Sequence, residues 1–479
     1  MIIALLVVVP ALLGLATYFG KDLRVQLWVL VGVAVLHLAT VVALWLGLPH
    51  SPWSVFALDP TGRLFLTITS VLFLVASLYS IPYLTDGTHD AQAAPLRFVP
   101  CLLWFLAAMT LVAGTQHLAV MWAAVEATTL ASAPLVYFYR RRAALEAAWK
   151  YLLICSVGIA LALLGTFFIG IAASAAPVPV TDLSLDVIVA AAPSMPRPWL
   201  EAGFVLALVG YGTKMGLAPM HTWLPDTHSQ APSPVSALLS GSLLNCALLA
   251  LLRFHHVCVA SGDAAFARNL MLILGFVSLG VSAALMVGQR DYKRLFAYSS
   301  IENMGIIAVG VGLAGAATQG AMLHVVNHSV CKAALFLVAG NVLRSYGTTD
   351  ARDVRGVLRR QPRTGLLLAA LLFAIGGTPP FGPFGSELMI FRGAMGSSPW
   401  LGVLFVVLLA VAFLGMAGAV LPMLQGEPGP VVARVKPRDH VLSIGTPLVL
   451  LLVSLVLGVW VPPFLQGAVR AAAQFVGGP

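Results

Sequence analysis

His324, His328 and Lys332 stand at i, i+4 and i+8 in the chain. On a helix that spacing puts them on one face, about 6 Å apart along the axis. Asn327 and Ser329 add polar neighbours. Histidine titrates near neutrality, and a desolvated lysine can be drawn down towards the same range. Such a row, joined by water, suits proton hopping. A hydrogen-bonded stripe that locks helices together would use the same residue types. Three titratable groups in register favour the relay.

Four more ionisable residues sit in apolar surroundings. Glu126 lies within Val120-Met-Trp122-Ala-Ala-Val-Glu126-Ala-Thr128-Thr129, and Lys214 lies within Gly212-Thr-Lys214-Met-Gly216-Leu-Ala-Pro219. Glu302 falls in Tyr298-Ser-Ser-Ile-Glu302-Asn303, and Glu387 in Gly385-Ser-Glu387-Leu-Met. A charge inside a membrane span costs about 3 kcal/mol or more, so such residues are rarely incidental. Glu126 and Lys214 are candidates for a charge pair between neighbouring helices. The geometry of such a pair sets the proton affinity of both members.

The spans that carry these groups follow from composition. Of 479 residues, 59% are hydrophobic and 9% charged, against about 25% charged in soluble domains. A soluble enzyme, a disordered chain and a fibre are excluded, which leaves an all-α polytopic membrane protein. Fourteen apolar spans are predicted, near 1–20, 25–48, 62–84, 98–115, 117–138, 149–173, 200–221, 232–254, 266–288, 294–315, 318–343, 363–393, 398–424 and 441–466. Spans seven and twelve are broken by Gly and Pro, the second at Gly376-Gly-Thr-Pro379-Pro380-Phe-Gly382-Pro383. Proline removes a helix donor, and the freed carbonyls need protein or water partners inside a bilayer. A break recurring five spans apart suggests two inverted five-helix repeats, helices 4–8 and 9–13, with an ion path beside the breaks. The expected organisation is 1–97 as three N-terminal helices, 98–254 as the first repeat, 266–424 as the second, and 425–479 as a C-terminal helix.

The net charge of +9 is a topology signal. Nineteen of the 27 Lys and Arg fall on one side, including Arg140, Arg141, Arg142, Lys150, Lys293, Arg344 and Arg434. Six fall on the other: Arg63, Arg197, Arg253, Arg268, Arg392 and Arg470. The positive-inside rule puts the first side in the cytoplasm and both termini outside. The first apolar run starts at Met1 without a basic leader, so it reads as a retained span. No loop exceeds roughly 30 residues, so any redox or nucleotide chemistry is expected to belong to a partner.

Other motifs carry less. Gly310-Val-Gly312-Leu-Ala-Gly315 matches a dinucleotide pattern but lies inside an apolar span with no preceding strand. The five cysteines stand singly, so neither a zinc site nor an iron–sulfur cluster, nor any other metal or cofactor, is expected. His221 and His228 flank Trp223-Leu-Pro-Asp226. A loop-cap or proton-intake role suits them better than metal ligation. His255-His256 reads as an interfacial pair without a specific role.

The stretch Gly212-Thr-Lys-Met-Gly-Leu-Ala-Pro-Met-His-Thr-Trp-Leu-Pro-Asp-Thr-His228, followed by Ala231-Pro-Ser-Pro-Val-Ser-Ala-Leu-Leu239, resembles the antiporter-like membrane subunits of respiratory complex I and Mrp-type cation/proton antiporters. Asp291-Tyr-Lys-Arg-Leu-Phe-Ala-Tyr-Ser-Ser300 and His324-Val-Val-Asn-His-Ser-Val-Cys-Lys-Ala-Ala-Leu-Phe336 match the same family, and the resemblance covers spans 3 to 13. Ser300-Ile-Glu-Asn-Met-Gly305 and Val125-Glu-Ala-Thr-Thr-Leu-Ala-Ser132 look most like component F of hydrogenase-4 and formate hydrogenlyase. By motif, the resemblance implies proton-carrying roles for Glu126, Lys214, Asn245 and Glu387. Asn245 departs from the lysine or histidine common there, and asparagine cannot titrate. The central relay is then left to water or to the row on helix eleven. Members with a long lateral C-terminal helix extend further past span fourteen, so this chain looks like the shorter type.

The expectation is a proton-translocating subunit of a multisubunit redox-driven complex in a bacterial or archaeal inner membrane, with no redox centre of its own. Its partners would be other antiporter-like membrane subunits and a peripheral hydrogenase or dehydrogenase arm, and the ion H⁺, with Na⁺ open. An Mrp-type cation/proton antiporter subunit without a redox partner is the alternative, and a degenerate scaffold a third. The relay would use Glu126, Lys214, His324, His328, Lys332 and Glu387. His221, Asp226, His228, Asn245 and Glu302 would serve relay or intake. The topology has a direct check. Tags placed at Arg140–Lys150 and Arg344–Arg363 should label only from the cytoplasmic face. Periplasmic labelling of either would overturn the inverted arrangement.

Overall fold

The structure is a computed structural model that describes residues 2–47, 55–85, 94–427 and 440–477. The described residues are helical throughout, with three isolated bridges at Phe56–Thr115, His117–Ser184 and Asp291–Asp350. Apolar runs of 17 to 33 residues fold this way because a bilayer offers no partner for backbone polar groups, and a helix satisfies them internally.

The order is α1 (Ile2–Tyr18), α2 (Leu23–Trp45), α3 (Pro60–Thr85), α4 (Pro95–Gly114), α5 (Leu118–Val136), α6 (Arg142–Ser174) and the short α7 (Leu185–Ala191). Next come α8 (Arg197–Met215), α9 (Trp223–Gln230), α10 (Ser233–Leu238), α11 (Leu244–Ala260), α12 (Ala264–Met286), α13 (Tyr292–Leu313) and α14 (Ala316–Tyr346). The chain continues through α15 (Val357–Arg360), α16 (Pro362–Ile375), α17 (Gly382–Ser397), α18 (Pro399–Leu424), α19 (Val441–Val459) and α20 (Pro463–Gly477). Every predicted span has a helix. Among the described residues, eleven helical spans, counting α10–α11 as one, are long and apolar enough to cross a membrane. The rest of the fourteen include the shorter α1 and the two broken spans.

The breaks share a backbone plan. α8 stops at Gly216, whose φ is 85°, and Pro219 follows three residues later behind a cis bond. α16 stops at Gly376, Gly377 has φ 65°, and Pro380 again lies three residues on behind a cis bond. The packing is matched as well. α4 meets α5, α5 meets α6, and α6 meets α8. In the later half α12 meets α13, α13 meets α14, and α14 meets both α16 and α17. The α6–α8 contact is close because Gly210 faces Gly158. A Cβ on Gly210 would lie 2.5 Å from the Gly158 carbonyl oxygen. That approach holds the Lys214 end of α8 against α5 and α6.

Burial separates the helices by role. The span Ser233–Ala260 is 100% buried, and α13 and α14 are each 94% buried, whereas α2, α6, α12, α18 and α19 stay at 39% or below. Asn245, Glu302 and the His324–His328–Lys332 row therefore ride on the most buried helices. The α10–α11 span is not one regular helix. Leu239–Leu243 forms a π turn between its two parts, and a Cβ on Gly241 there would lie 3.1 Å from the Ser329 carbonyl oxygen of α14. Single π turns of this kind are frequent at functional sites.

Two residues counted as loop charges are corrected by the structure. Lys293 is buried, because its ammonium turns inward to the carbonyls of Ala231 at 2.6 Å and Ser229 at 3.3 Å. Arg253 is buried in the C-terminal half of α11. Its guanidinium pairs with Asp59 at 2.8 Å and donates to the carbonyls of Val112, Ala113 and Thr115. Those carbonyls form the open C-terminal end of α4, so one cation closes α4, anchors α11 and caps α3. Arg434, Lys436 and Arg438 lie outside the described residues. The helix α20 was not anticipated as a separate element. It packs on α3, α11 and α14, with Phe475 stacked on His256 at 4.2 Å. His255 is buried beside Phe204, so that pair is internal packing.

Burial would raise the Asp59 carboxyl, but Arg253 and the donors of Thr61, Gln116 and Gly62 hold it below its ordinary value. A lowered carboxylate stabilises the fold above about pH 4 and loses that contribution on acidification. Arg253→Met should destabilise the protein by about 3–5 kcal/mol, because it leaves Asp59 buried and unpaired. Thermal unfolding in detergent should show a lowered midpoint at pH 7 and a smaller deficit as the pH falls below about 4. An unchanged midpoint at pH 7 would show that the clamp contributes nothing.

Candidate functional site

The first half of the candidate site lies between α5, α6 and α8. Glu126 is half-buried on α5. Its Oε1 accepts from the Ser156 hydroxyl at 2.6 Å, and its Oε2 from the Thr129 hydroxyl at 3.3 Å. Lys214 is fully buried in the last turn of α8. Its Nζ donates to the Thr129 hydroxyl and to the Val125 carbonyl at 3.5 Å, and it lies 5.4 Å from the Tyr151 ring centre. The two charges were expected to pair directly. Instead Thr129 stands between them, one helical turn past Glu126. Sequence reasoning missed Thr129, Ser156 and Tyr151. The only signal was the position of Thr129 at i+3 from Glu126, on the same helical face.

The middle of the site is the π turn and the first turn of α11. Asn245 donates to the Gly241 carbonyl and the Ser329 hydroxyl, both at 2.7 Å, while its own Oδ1 accepts from no described group. The Ser240 and Ser300 hydroxyls meet at 2.8 Å. Cys246, beside Asn245, lies within electrostatic reach of Lys214. α11 thus separates the first half of the site from α13 and α14.

The second half is built on α13, α14 and α17. Lys332 is fully buried and donates to the Phe296 carbonyl at 2.9 Å. Glu302 is buried within electrostatic reach of Lys332 and Glu387. His328 is buried with both ring nitrogens unpartnered. His324 is held more firmly, by Ser386 at 2.9 Å and the Asn303 side-chain oxygen at 3.0 Å. Asn327 donates to the Gly382 carbonyl at 2.8 Å and ties α14 to the second break. His324, His328 and Lys332 therefore share a face as the spacing predicted, but they differ in freedom. Glu387 is buried just after the break, with its carboxylate against Gly377.

The residues assigned to intake divide. Asp226 faces a cleft of about 390 Å³ lined by Glu146, Lys150, Ser229, Asp291 and Arg294. It pairs with Lys150 at 3.1 Å and Arg294 at 2.8 Å. His221 packs edge-on to Tyr298 at 6.3 Å between ring centres. His228 is no loop cap. It is buried on α9, stacked on Phe336 at 4.6 Å, with both ring nitrogens unpartnered. Lys293 and Lys332 both lie within its electrostatic reach. Among the described residues no cluster of three or more His, Cys, Asp or Glu could hold a metal.

Residues 115–412 match a transmembrane family described as NADH:quinone oxidoreductase/Mrp antiporter. A hydrogenase-4 component F homolog from Methylacidiphilum infernorum is 37% identical over 388 residues, covering 79% of this chain and 80% of that protein. Among solved structures, a chain of the archaeal membrane-bound sulfane sulfur reductase superposes with a TM-score of 0.86 at 20% identity, over 99% of this chain and 97% of that one. A chain of the Mrp complex from a Dietzia species superposes with a TM-score of 0.85 at 21% identity, over 100% and 97%.

The contact at the second break is testable. A Cβ on Gly377 would overlap Glu387 Oε2, at a backbone angle side chains rarely adopt. Gly377→Ala should destabilise the protein by about 1–3 kcal/mol. Adding Glu387→Ala should recover the steric part, so unfolding of the single and double variants should be non-additive. Simple additivity would mean that the two residues do not touch.

Proposed function

The chain belongs to the NADH:quinone oxidoreductase/Mrp antiporter transmembrane family, and from that premise we propose that it moves protons within a multisubunit redox-driven membrane complex of the hydrogenase-4 or complex I kind. It is a multi-pass membrane subunit of antiporter-like fold. The observation that carries the proposal is a band of buried titratable groups on and beside the most buried helices. Lys214, His228, His328, Lys332, Glu302 and Glu387 are all buried, and among the described residues none of them makes an ion pair. A structural role would favour paired charges, because an unpaired charge in a span is expensive. Groups that change protonation carry that cost as part of their work.

The path begins at the cytoplasmic cleft, where Asp226 and the buried His228 serve intake. It runs across the π turn by way of Asn245, Ser329 and water, reaches His328 and Lys332, and leaves through Glu302 and Glu387 at the second break. Glu126 and Lys214 form the switch of the first half, and His221 flanks it. His324 holds α17 in place. The two halves are inverted repeats, 98–254 and 266–424, with 1–97 and 425–479 flanking them. Both termini lie outside. Other antiporter-like membrane subunits and a peripheral hydrogenase or dehydrogenase arm supply the driving reaction.

Proton uptake into vesicles bearing the assembled complex, driven by its electron donor, provides the test. Glu126→Gln and Lys214→Met change charge with little volume change, so assembly on a native gel should persist. Uptake should fall by about tenfold or more in each, the range expected when a positioned proton carrier is removed. Glu387→Gln should block transfer, while Glu387→Asp, which keeps a titratable group one methylene shorter, should retain part of it. Wild-type uptake in all three neutral variants would reduce these residues to structural polar groups. Proton movement that follows a sodium gradient without electron flow would instead identify a cation/proton antiporter.

A further inference from the structure

We propose that Thr129 is the proton bridge between Lys214 and Glu126, so that the two charged residues exchange a proton through its hydroxyl and not through a direct ion pair. The inference rests on the reading of Glu126 and Lys214 given above. It adds a residue that this reading does not require.

The geometry is specific. Thr129 is fully buried on α5. Its oxygen accepts from Lys214 Nζ, and its proton points to Glu126 Oε2 at 3.3 Å. The other Glu126 oxygen is already engaged by Ser156 at 2.6 Å. Lys214 is confined by the Tyr151 ring and the Val125 carbonyl. Neither charged group makes an ion pair in this arrangement. A hydroxyl that accepts from one titratable group and donates to the other has the polarity a hop requires. As one N–H bond of the ammonium breaks, its proton binds Thr129 Oγ1. The proton already on Oγ1 leaves for Glu126 Oε2. Threonine ends as it began, a neutral hydroxyl, with lysine neutral and glutamic acid protonated. Rotation of the hydroxyl about its C–O bond resets the bridge. No other reactant is needed.

A bridge and a packing role predict opposite orders of damage. Valine has the shape of threonine but no hydroxyl, whereas alanine opens a polar space that a water can fill. If Thr129 is the bridge, Thr129→Val should lower proton uptake in the vesicle assay by about tenfold or more. Thr129→Ala should lower it less, and Thr129→Ser should keep most of it. If the residue only packs, alanine should be the most damaging change and valine nearly silent. That second order would overturn the proposal. Should the valine variant fail to assemble, Thr129→Cys takes its place with the same expected loss, because a thiol hydrogen-bonds weakly. Glu126→Gln measured beside these variants keeps the two ideas apart. Wild-type uptake in Thr129→Val with loss in Glu126→Gln removes only the bridge, whereas wild-type uptake in both removes the Glu126–Lys214 switch as well.

Discussion

An ammonium group held inside a bilayer without a carboxylate in contact is the constraint around which this molecule is arranged. Lys214 has a hydroxyl, a carbonyl and an aromatic ring for company, and nothing of opposite charge at bonding distance. Several parts of the fold exist to make that tolerable. The break after α8 ends the helix one residue past Lys214, where its last carbonyls can accept from neighbours. The glycine contact between α6 and α8 brings the Tyr151 face close. α11 seals the far side with a fully buried surface. Weak partners leave the protonation of Lys214 open to its surroundings, as a strong ion pair would not.

The later half answers the same problem differently. Lys332 leans on one backbone carbonyl, with Glu302 near but not in contact and Glu387 in turn within reach of Glu302. Here the break supplies the acid, not the base, because Glu387 follows it on α17. The two halves therefore offer a lysine at the first break and a glutamate at the second. Between them stands Asn245, which cannot take a proton. The π turn compensates by gathering Ser240, Ser300 and Ser329 into one seam. Hydroxyls and water can pass a proton across a gap that no titratable side chain fills.

Much of this was legible in the sequence. Hydropathy located every span, because the length of an apolar run is set by bilayer thickness. The Gly and Pro clusters located both breaks. The i, i+4, i+8 row fell on one face because α14 runs uninterrupted through it. What escaped were choices of direction made by single side chains. Charge counting placed Lys293 and Arg253 in solvated loops, since it cannot see a long side chain turn inward to helix-end carbonyls. His228 read as a loop residue because two prolines and an aspartate surround it, yet Phe336 of a distant helix buries it. The Thr129 bridge was invisible for a similar reason. A hydroxyl in an apolar run usually bonds its own helix, as Ser132 and Thr128 do here.

Hydrogen-bond saturation marks the anchors in this protein. Arg253 spends its guanidinium on a carboxylate and three carbonyls, and His37 fills both ring nitrogens with the hydroxyls of Ser70 and Thr110. Such groups cannot change partners without leaving a buried polar atom unpaired, so they fix helices in register. Along the central band the reverse holds. His228 has both ring nitrogens spare, His328 makes no well-aligned hydrogen bond through either of its own, and Asn245 Oδ1 and Ser242 add further open positions. These atoms occupy the helices with least lipid contact, where empty polar capacity is most costly. Open polar atoms also occur away from that band, at His255, Gln26 and Gln361, so what sets the band apart is that its open atoms sit beside buried titratable groups on neighbouring helices.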